Sequence, residues 1–211
     1  MKKYYYLIDT TFQGEIIREE NGVYERFVYG PNTWFSTNLF EKYTNKKSIF
    51  YNKYEEKTKE QVAELISKQI VFYEKLWKMA KNLAIEKHEG QVDKNGKAYI
   101  LHPRFVASKF DILDFKIVAI LHDIVEDTDV TLEQLTKMGF PRKIVLAIEA
   151  ITKNEGEKYF EYIERVKLNA IARKVKIEDL KHNLDPERIC LIENGESLKK
   201  RYEKALKILE N

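Results

Sequence analysis

The chain has 211 residues, of which 44% are hydrophobic and 34% charged; this is the composition of a soluble globular protein of one or two domains and excludes a disordered one. A net charge of +3, from 37 basic and 34 acidic side chains, is too even to argue for a nucleic-acid polymer or an anionic membrane as partner. No stretch approaches the roughly 18 apolar residues of a membrane span, and Met1-Lys2-Lys3 meets Asp9 before any long apolar run, which argues against a signal peptide. The single cysteine, Cys190, stands between Ile189 and Leu191 and reads as an inert buried thiol, in keeping with a reducing cytoplasm.

Residues 1–57 are aromatic and strand-like. Tyr4-Tyr5-Tyr6-Leu7-Ile8 is rich in β-formers. Glu15-Ile16-Ile17-Arg18 runs to Asn21-Gly22, a two-residue hairpin signal, and Val23 to Tyr29 alternates before Gly30-Pro31-Asn32 turns the chain again. The pattern predicts a three-stranded antiparallel meander, capped on one face by Trp34, Phe35, Leu39, Phe40 and Tyr43. So small a sheet is marginal alone and needs a packing partner. Its aromatics read as a miniature core, with a cover over a cleft or a homo-oligomer contact left open.

The pattern changes at Thr58, so that residues 58–211 form a second, helical domain. Thr58 and Gln61 make a capping box. Val62, Leu65, Ile66, Ile70, Tyr73, Leu76, Ala80, Leu83 and Ala84 follow at helical spacing, predicting one long or broken helix to about Lys87. Pro103 suits a helix start, which places His102 in an extended residue just before it. A central helix is predicted over 114–126; Thr131 and Gln134 cap another, Pro141 opens a third, and more lie near 157–168, 169–183 and 197–210.

One stretch does not fit a core helix. The apolar run Ile117 to Leu121 is cut off by His122, Asp123, Glu126 and Asp127, paired at four-residue spacing on adjacent stripes. Such a cluster is costly unless a cation sits among it, although a solvated acidic helix end is the plainer alternative. His102 at a loop–helix junction can project into a cleft. Asp179 and Asn183 share a helix face, with His182 one step round in a structural role. His102, His122, Asp123 and Asp179 together make a set of imidazoles and carboxylates that suits a divalent first-row metal; their spacing alone does not decide it.

The order of the motifs is more telling. His102-Pro103, then His122-Asp123 nineteen residues after the proline, then a later aspartate resembles the HD-domain metal phosphohydrolases. His88-Glu89-Gly90-Gln91, Lys94-Asn95-Gly96, Tyr99 to Pro103, Leu121 to Thr128, Thr152-Lys153 and Val175 to Asn183 are similar, in order, to the hydrolase domain of RelA/SpoT-type alarmone enzymes, across about residues 62–210. The resemblance implies a mainly α protein: an all-helical HD domain, here preceded by the small antiparallel sheet. It implies one Mn²⁺ held by His102, His122, Asp123 and Asp179, and removal of the 3′-pyrophosphate of (p)ppGpp. With no synthetase half following, a stand-alone small alarmone hydrolase is expected. Glu126 and Asp127 would orient the attacking water and accept its proton. Lys94, Lys153 and Lys176 would neutralise the polyphosphate, Asn183 would contact the nucleotide, and Tyr99 would stack on the base or support His102.

Two departures touch the substrate and not the metal set. Asp93 stands where the family usually has an arginine that stacks on guanine, and a carboxylate cannot replace that planar cation. Leu184-Asp185-Pro186 follows Asn183 where the family often offers a hydroxyl. The same chemistry on another phosphorylated nucleotide or metabolite is therefore a live alternative, and a silent nucleotide-binding regulatory module a more distant one.

Overall fold

In the computed structural model, residues 2–189 and 195–211 are described. Cys190 lies outside them. The chain divides into two compact units, one up to Lys75 and the other from Leu76, with the boundary inside one long helix.

The first unit holds an antiparallel sheet of five strands: β1 (Lys3–Leu7), β2 (Ile16–Glu20), β3 (Val23–Val28), β4 (Thr33–Ser36) and β5 (Tyr54–Lys57), in the order β4-β3-β2-β1-β5. The meander of three is present, and the expected hairpin turns at Asn21 (φ 52°) and Gly22 (φ 80°), both left-handed as a type I′ turn requires. Two strands go beyond expectation. Trp34 and Phe35 belong to β4, paired with β3, and do not cap the sheet. β5 (Tyr-Glu-Glu-Lys) carries no alternation that would mark a strand, and it forms because β1 offers it an open edge.

Consecutive residues of a strand point to opposite faces, so the burial of both Ile16 and Ile17 means that both faces are covered. Tyr5, Leu7 and Ile17 pack with Leu39, Phe40 and Tyr43 on one side. Phe40 and Tyr43 flank and begin the short helix α1 (Glu41–Thr44), and the Tyr43 hydroxyl donates to the buried carboxylate of Asp9. Trp34 packs edge-on against Phe27 on the other side. Beside it, Tyr29 stacks at 4.5 Å on Tyr73 of α2 (Lys59–Lys87), whose Gln69 donates to the Gly14 carbonyl at 2.9 Å. The Thr58–Gln61 capping box forms as expected at the start of α2.

The second unit is helical: α3 (Leu101–Ser108), α4 (Leu113–Leu121), α5 (Ile124–Asp127), α6 (Leu132–Lys137), α7 (Arg142–Ile151), α8 (Tyr159–Lys167), α9 (Ala170–Asn183), α10 (Pro186–Ile189) and α11 (Gly195–Glu210). α4 is buried along most of its length, which its nearly all-apolar sequence demands, and it packs against α3, α7 and α9.

Two expectations are corrected here. The central helix does not run to 126: α4 ends at Leu121 and a new turn starts after Asp123, whose backbone (φ −102°, ψ −1°) lies in the sparse bridge region. The cause is local, because the His122 ring nitrogen Nδ1 takes the Ala119 carbonyl at 2.8 Å and caps α4 from its own side chain. His102 is also not extended. Helix α3 starts at Leu101, the His102 amide donates to Tyr99 O at 2.9 Å, and Pro103 falls in the first turn, where a missing N–H costs nothing.

Candidate metal and phosphoryl site

Three elements bring the sequence-predicted cluster together. α3 carries His102, the α4–α5 break carries His122 and Asp123, and α9 carries Asp179. His102 Nε2 lies 3.0 Å from Asp179 Oδ1 and 3.8 Å from Asp123 Oδ2. His122 Nε2 lies 3.0 Å from Asp123 Oδ2 and 3.7 Å from Asp179 Oδ1. Ligand atoms of His102, His122 and Asp179 all fall within 4.8 Å of one another, a triad that fits a divalent cation.

The electrostatics agree with the geometry. Burial works against charge on His122, Asp123 and Asp179, but the opposed charges outweigh it. Asp123 and Asp179 push the His122 imidazole up to about 10. His122 holds Asp123 well below the usual carboxylate range, and Lys176 does the same for Asp179. Even so, neither carboxylate is aligned with the buried His122 Nε2 as a hydrogen-bond partner, close as Asp123 is, which suits a nitrogen that faces an ion.

His102, Asp123 and Asp179 form the floor of a cavity of about 280 Å³ lined also by Asp93, Lys94, Asn95, Tyr99, Lys176, Asn183, Arg188 and Tyr202. The expected substrate residues divide into three groups. Lys94 is exposed on the wall, where its charge is free to meet a ligand. Lys176, Asn183 and Tyr99 are committed to the floor: Lys176 Nζ sits 2.8 Å from Asp179 Oδ2, Asn183 Nδ2 donates to Asp179 Oδ1 at 2.7 Å, and the Tyr99 hydroxyl donates to Asp123. Lys153 is not on the cavity wall; its backbone N–H donates to Glu126 Oε1 at 2.5 Å.

Glu126 and Asp127 stand on α5, directly past the cluster, each with part of its surface exposed. Burial of their carboxyl groups, with Asp123 close by, raises both above the ordinary carboxylate value, which suits a proton acceptor. Behind them, His88 is buried, with Nδ1 at 2.7 Å from Gln91 Oε1, and Gln91 Nε2 holds the Asp127 carbonyl at 3.0 Å.

Sequence reasoning missed three contributors. Arg188 of α10 lies 3.2 Å from Asp93 Oδ2, so a guanidinium reaches the cavity wall from a different part of the chain. Asp93 is pinned by the Asn95 and Lys97 amides at 2.9 and 3.0 Å; burial opposes its charge, but these donors and Arg188 hold it below the usual range. Tyr202 of α11 closes another side. The third is Arg165 of α8, which grips Glu157 through two nitrogens and takes the carbonyls of Glu149, Ala150 and Thr152. That clasp fixes the end of α7 from which Lys153 reaches Glu126. Arg188 and Arg165 left no signal, because each follows ordinary helical surface residues.

No family model matches the chain. Among curated proteins, it is similar to the guanosine-3′,5′-bis(diphosphate) 3′-pyrophosphohydrolase of Aquifex aeolicus (strain VF5), with 40% identity over 84 residues, which is 38% of this chain and 12% of that one. It is 32% identical over 116 residues to the protein of that name from Danio rerio, covering 49% of this chain and 64% of the relative. The chain thus spans about an eighth of the bacterial relative and a little under two thirds of the fish one. A solved structure titled as a metazoan orthologue of SpoT that hydrolyses ppGpp matches with a TM-score of 0.53 and 20% identity, covering 64% of this chain and 85% of that one, and so shares the fold. The resemblance carried by the motifs is found again in both comparisons.

Proposed function

We propose that this chain is a metal-dependent 3′-pyrophosphohydrolase of (p)ppGpp. The observation that carries the reading is the convergence of His102, His122 and Asp179 beside a cavity, with Asp123 in contact with both histidines and an acidic pair close by in the sequence. His102, His122, Asp123 and Asp179 would hold the ion, Mn²⁺ on the family pattern, Asp123 being brought in as the fourth by its contacts to both histidines. A divalent ion so held lowers the pKa of water and polarises a phosphoryl oxygen.

The remaining work belongs to the chain's own side chains. Glu126 and Asp127 orient the water and take its proton as its oxygen bonds to the 3′ phosphorus. The phosphorus bond to the 3′ oxygen breaks, that oxygen takes up the proton held by the acidic pair to become a hydroxyl, and pyrophosphate and the nucleotide leave. Lys94 meets the anionic substrate at the wall. Lys176 acts one step back, by keeping Asp179 ionised and aimed. Tyr99 does likewise for Asp123, a supporting role at a different ligand from the His102 expected of it. The same reading takes the enzyme to be cytoplasmic; no helix among the described residues is long and apolar enough to cross a membrane.

Asp93 favours a second reading, the same chemistry on another phosphorylated nucleotide, since its carboxylate occupies part of the wall. Arg188 narrows that gap by returning a guanidinium to the cavity. One screen separates the two. Purified protein with Mn²⁺ is given guanosine 3′-diphosphates and other phosphorylated nucleotides, and released phosphate and pyrophosphate are measured. Pyrophosphate from (p)ppGpp, lost on chelation, is expected. Release from a different nucleotide alone would move the assignment to the second reading, and no release from any would end both.

A further inference from the structure

We infer that His182 is a positioning residue that fixes the tautomer of His102: its ring nitrogen Nδ1 accepts the Nδ1–H of His102 and leaves the Nε2 lone pair of His102 turned into the carboxylate cluster. This deepens the proposed function and rests on its metal site.

The argument starts from two nitrogens. His102 Nδ1 and His182 Nδ1 lie 2.7 Å apart, a hydrogen bond that needs a proton on one of them and a lone pair on the other. On the far side of its ring, His102 Nε2 faces Asp179 and Asp123 at 3.0 and 3.8 Å. An imidazole that gives Nε2 to a cation must carry its proton on Nδ1, and something must receive that N–H. His182 is the group in place to do so.

The other histidine of the cluster solves the same problem with a simpler partner. His122 Nδ1 lies 2.8 Å from the Ala119 carbonyl, which can only accept, so Nδ1 holds a proton and Nε2 is the nitrogen left to bind an ion. His182 gives His102 what a backbone carbonyl gives His122, and the two ligand rings then present the same atom.

Two helices share the construction. α3 supplies His102 and, one turn on, Phe105; α9 supplies Asp179 and, one turn on, His182. The His182 ring lies nearly parallel to both, at 5.0 Å and 12° from His102 and at 3.8 Å and 18° from Phe105. Spacing of three residues puts the ligand and its support on one face of each helix. The stacking holds the His182 ring in plane; its nitrogen does the recognising.

The test compares two substitutions with opposite losses. His182→Phe keeps a stacked ring and removes the acceptor. His182→Asn removes the ring but places an amide oxygen near the position of Nδ1. Mn²⁺ dissociation constants are measured by calorimetry on the full chain. Phe should weaken binding about 10- to 100-fold, the usual cost of losing a partner of a ligating histidine, and Asn should recover most of it. A purely structural role would rank them the other way round. Equal affinity of the Phe variant and the wild type, or Asn no better than Phe, overturns the inference. Ring ¹⁵N spectra of the Zn²⁺-loaded wild type give a readout that needs no variant: His182 should carry its proton on Nε2 alone, and a protonated Nδ1 there overturns the inference. A wild type that takes up neither ion removes the metal reading itself, a result distinct from these.

Discussion

Glu126 and the four residues proposed to hold the metal should behave differently under mutation, which makes them separable. Glu126→Gln should keep Mn²⁺ affinity, because Glu126 lies outside the convergent set, and should lower turnover about 10²- to 10⁴-fold, the range for loss of a general base. The same change has a second signature. Burial raises the Glu126 carboxyl above its unfolded value, so the folded chain holds that proton more tightly than the unfolded one. The stability linked to this group is therefore full at acid pH and falls as pH rises through the raised value. At neutral pH the metal-free Gln variant should melt slightly higher than the wild type, and a differential-scanning measurement that found it lower would remove the assigned strain. That His102, His122, Asp123 and Asp179 come together was legible through the order of the motifs and the resemblance they carry, since their spacing alone left a solvated acidic helix end open. Arg188 and the Nδ1 contact of His182 were not, since each depends on which helix faces which, and nothing in α10 or α9 alone announces it.

Among the elements, the clasp that Arg165 of α8 makes on the end of α7 is the one most open to a stability test. Its two-pronged contact holds Glu157 well down, at about 2, with the Arg165 hydrogen bonds the leading cause. A depressed carboxylate contributes its full stability above the unfolded value and loses it as pH falls toward the folded one. Glu157→Gln should thus destabilise the chain at pH 7, and its deficit against the wild type should shrink steadily from about pH 4.5 downward, as read from urea midpoints. Arg165→Ala should cost more, about 2–4 kcal/mol, because it also strands three carbonyls at the helix end. Sequence periodicity found α2, α7, α8, α9 and α11, where apolar faces repeat over several turns. It ran through the α4–α5 break because the capping group is the His122 side chain, which carries no backbone signature. It undercounted the sheet for a similar reason: β5 is made a strand by the free edge of β1, a tertiary cause.

For the molecule as a whole, the cation should be a ligand that adds stability without creating the fold. α4 buries a near-continuous apolar surface among α3, α7 and α9. Mn²⁺ at a hundred times its dissociation constant should add about 2.7 kcal/mol to the unit that binds it, and chelation should return the melting transition to its starting point while circular dichroism stays helical. Loss of the helical signal on chelation would contradict this. The clustered charges balance one another within the protein. Lys176 neutralises Asp179 from one side, and a protonated His122 neutralises Asp123 from the other. These two groups act as placeholders, so shape comes first in the order of assembly and loading last. Lys176 can stay where it is, on the oxygen turned away from the histidines, but the proton on His122 must depart before Nε2 can bind anything. Ion capture should therefore release protons, and alkaline surroundings should load the protein more readily than acid ones.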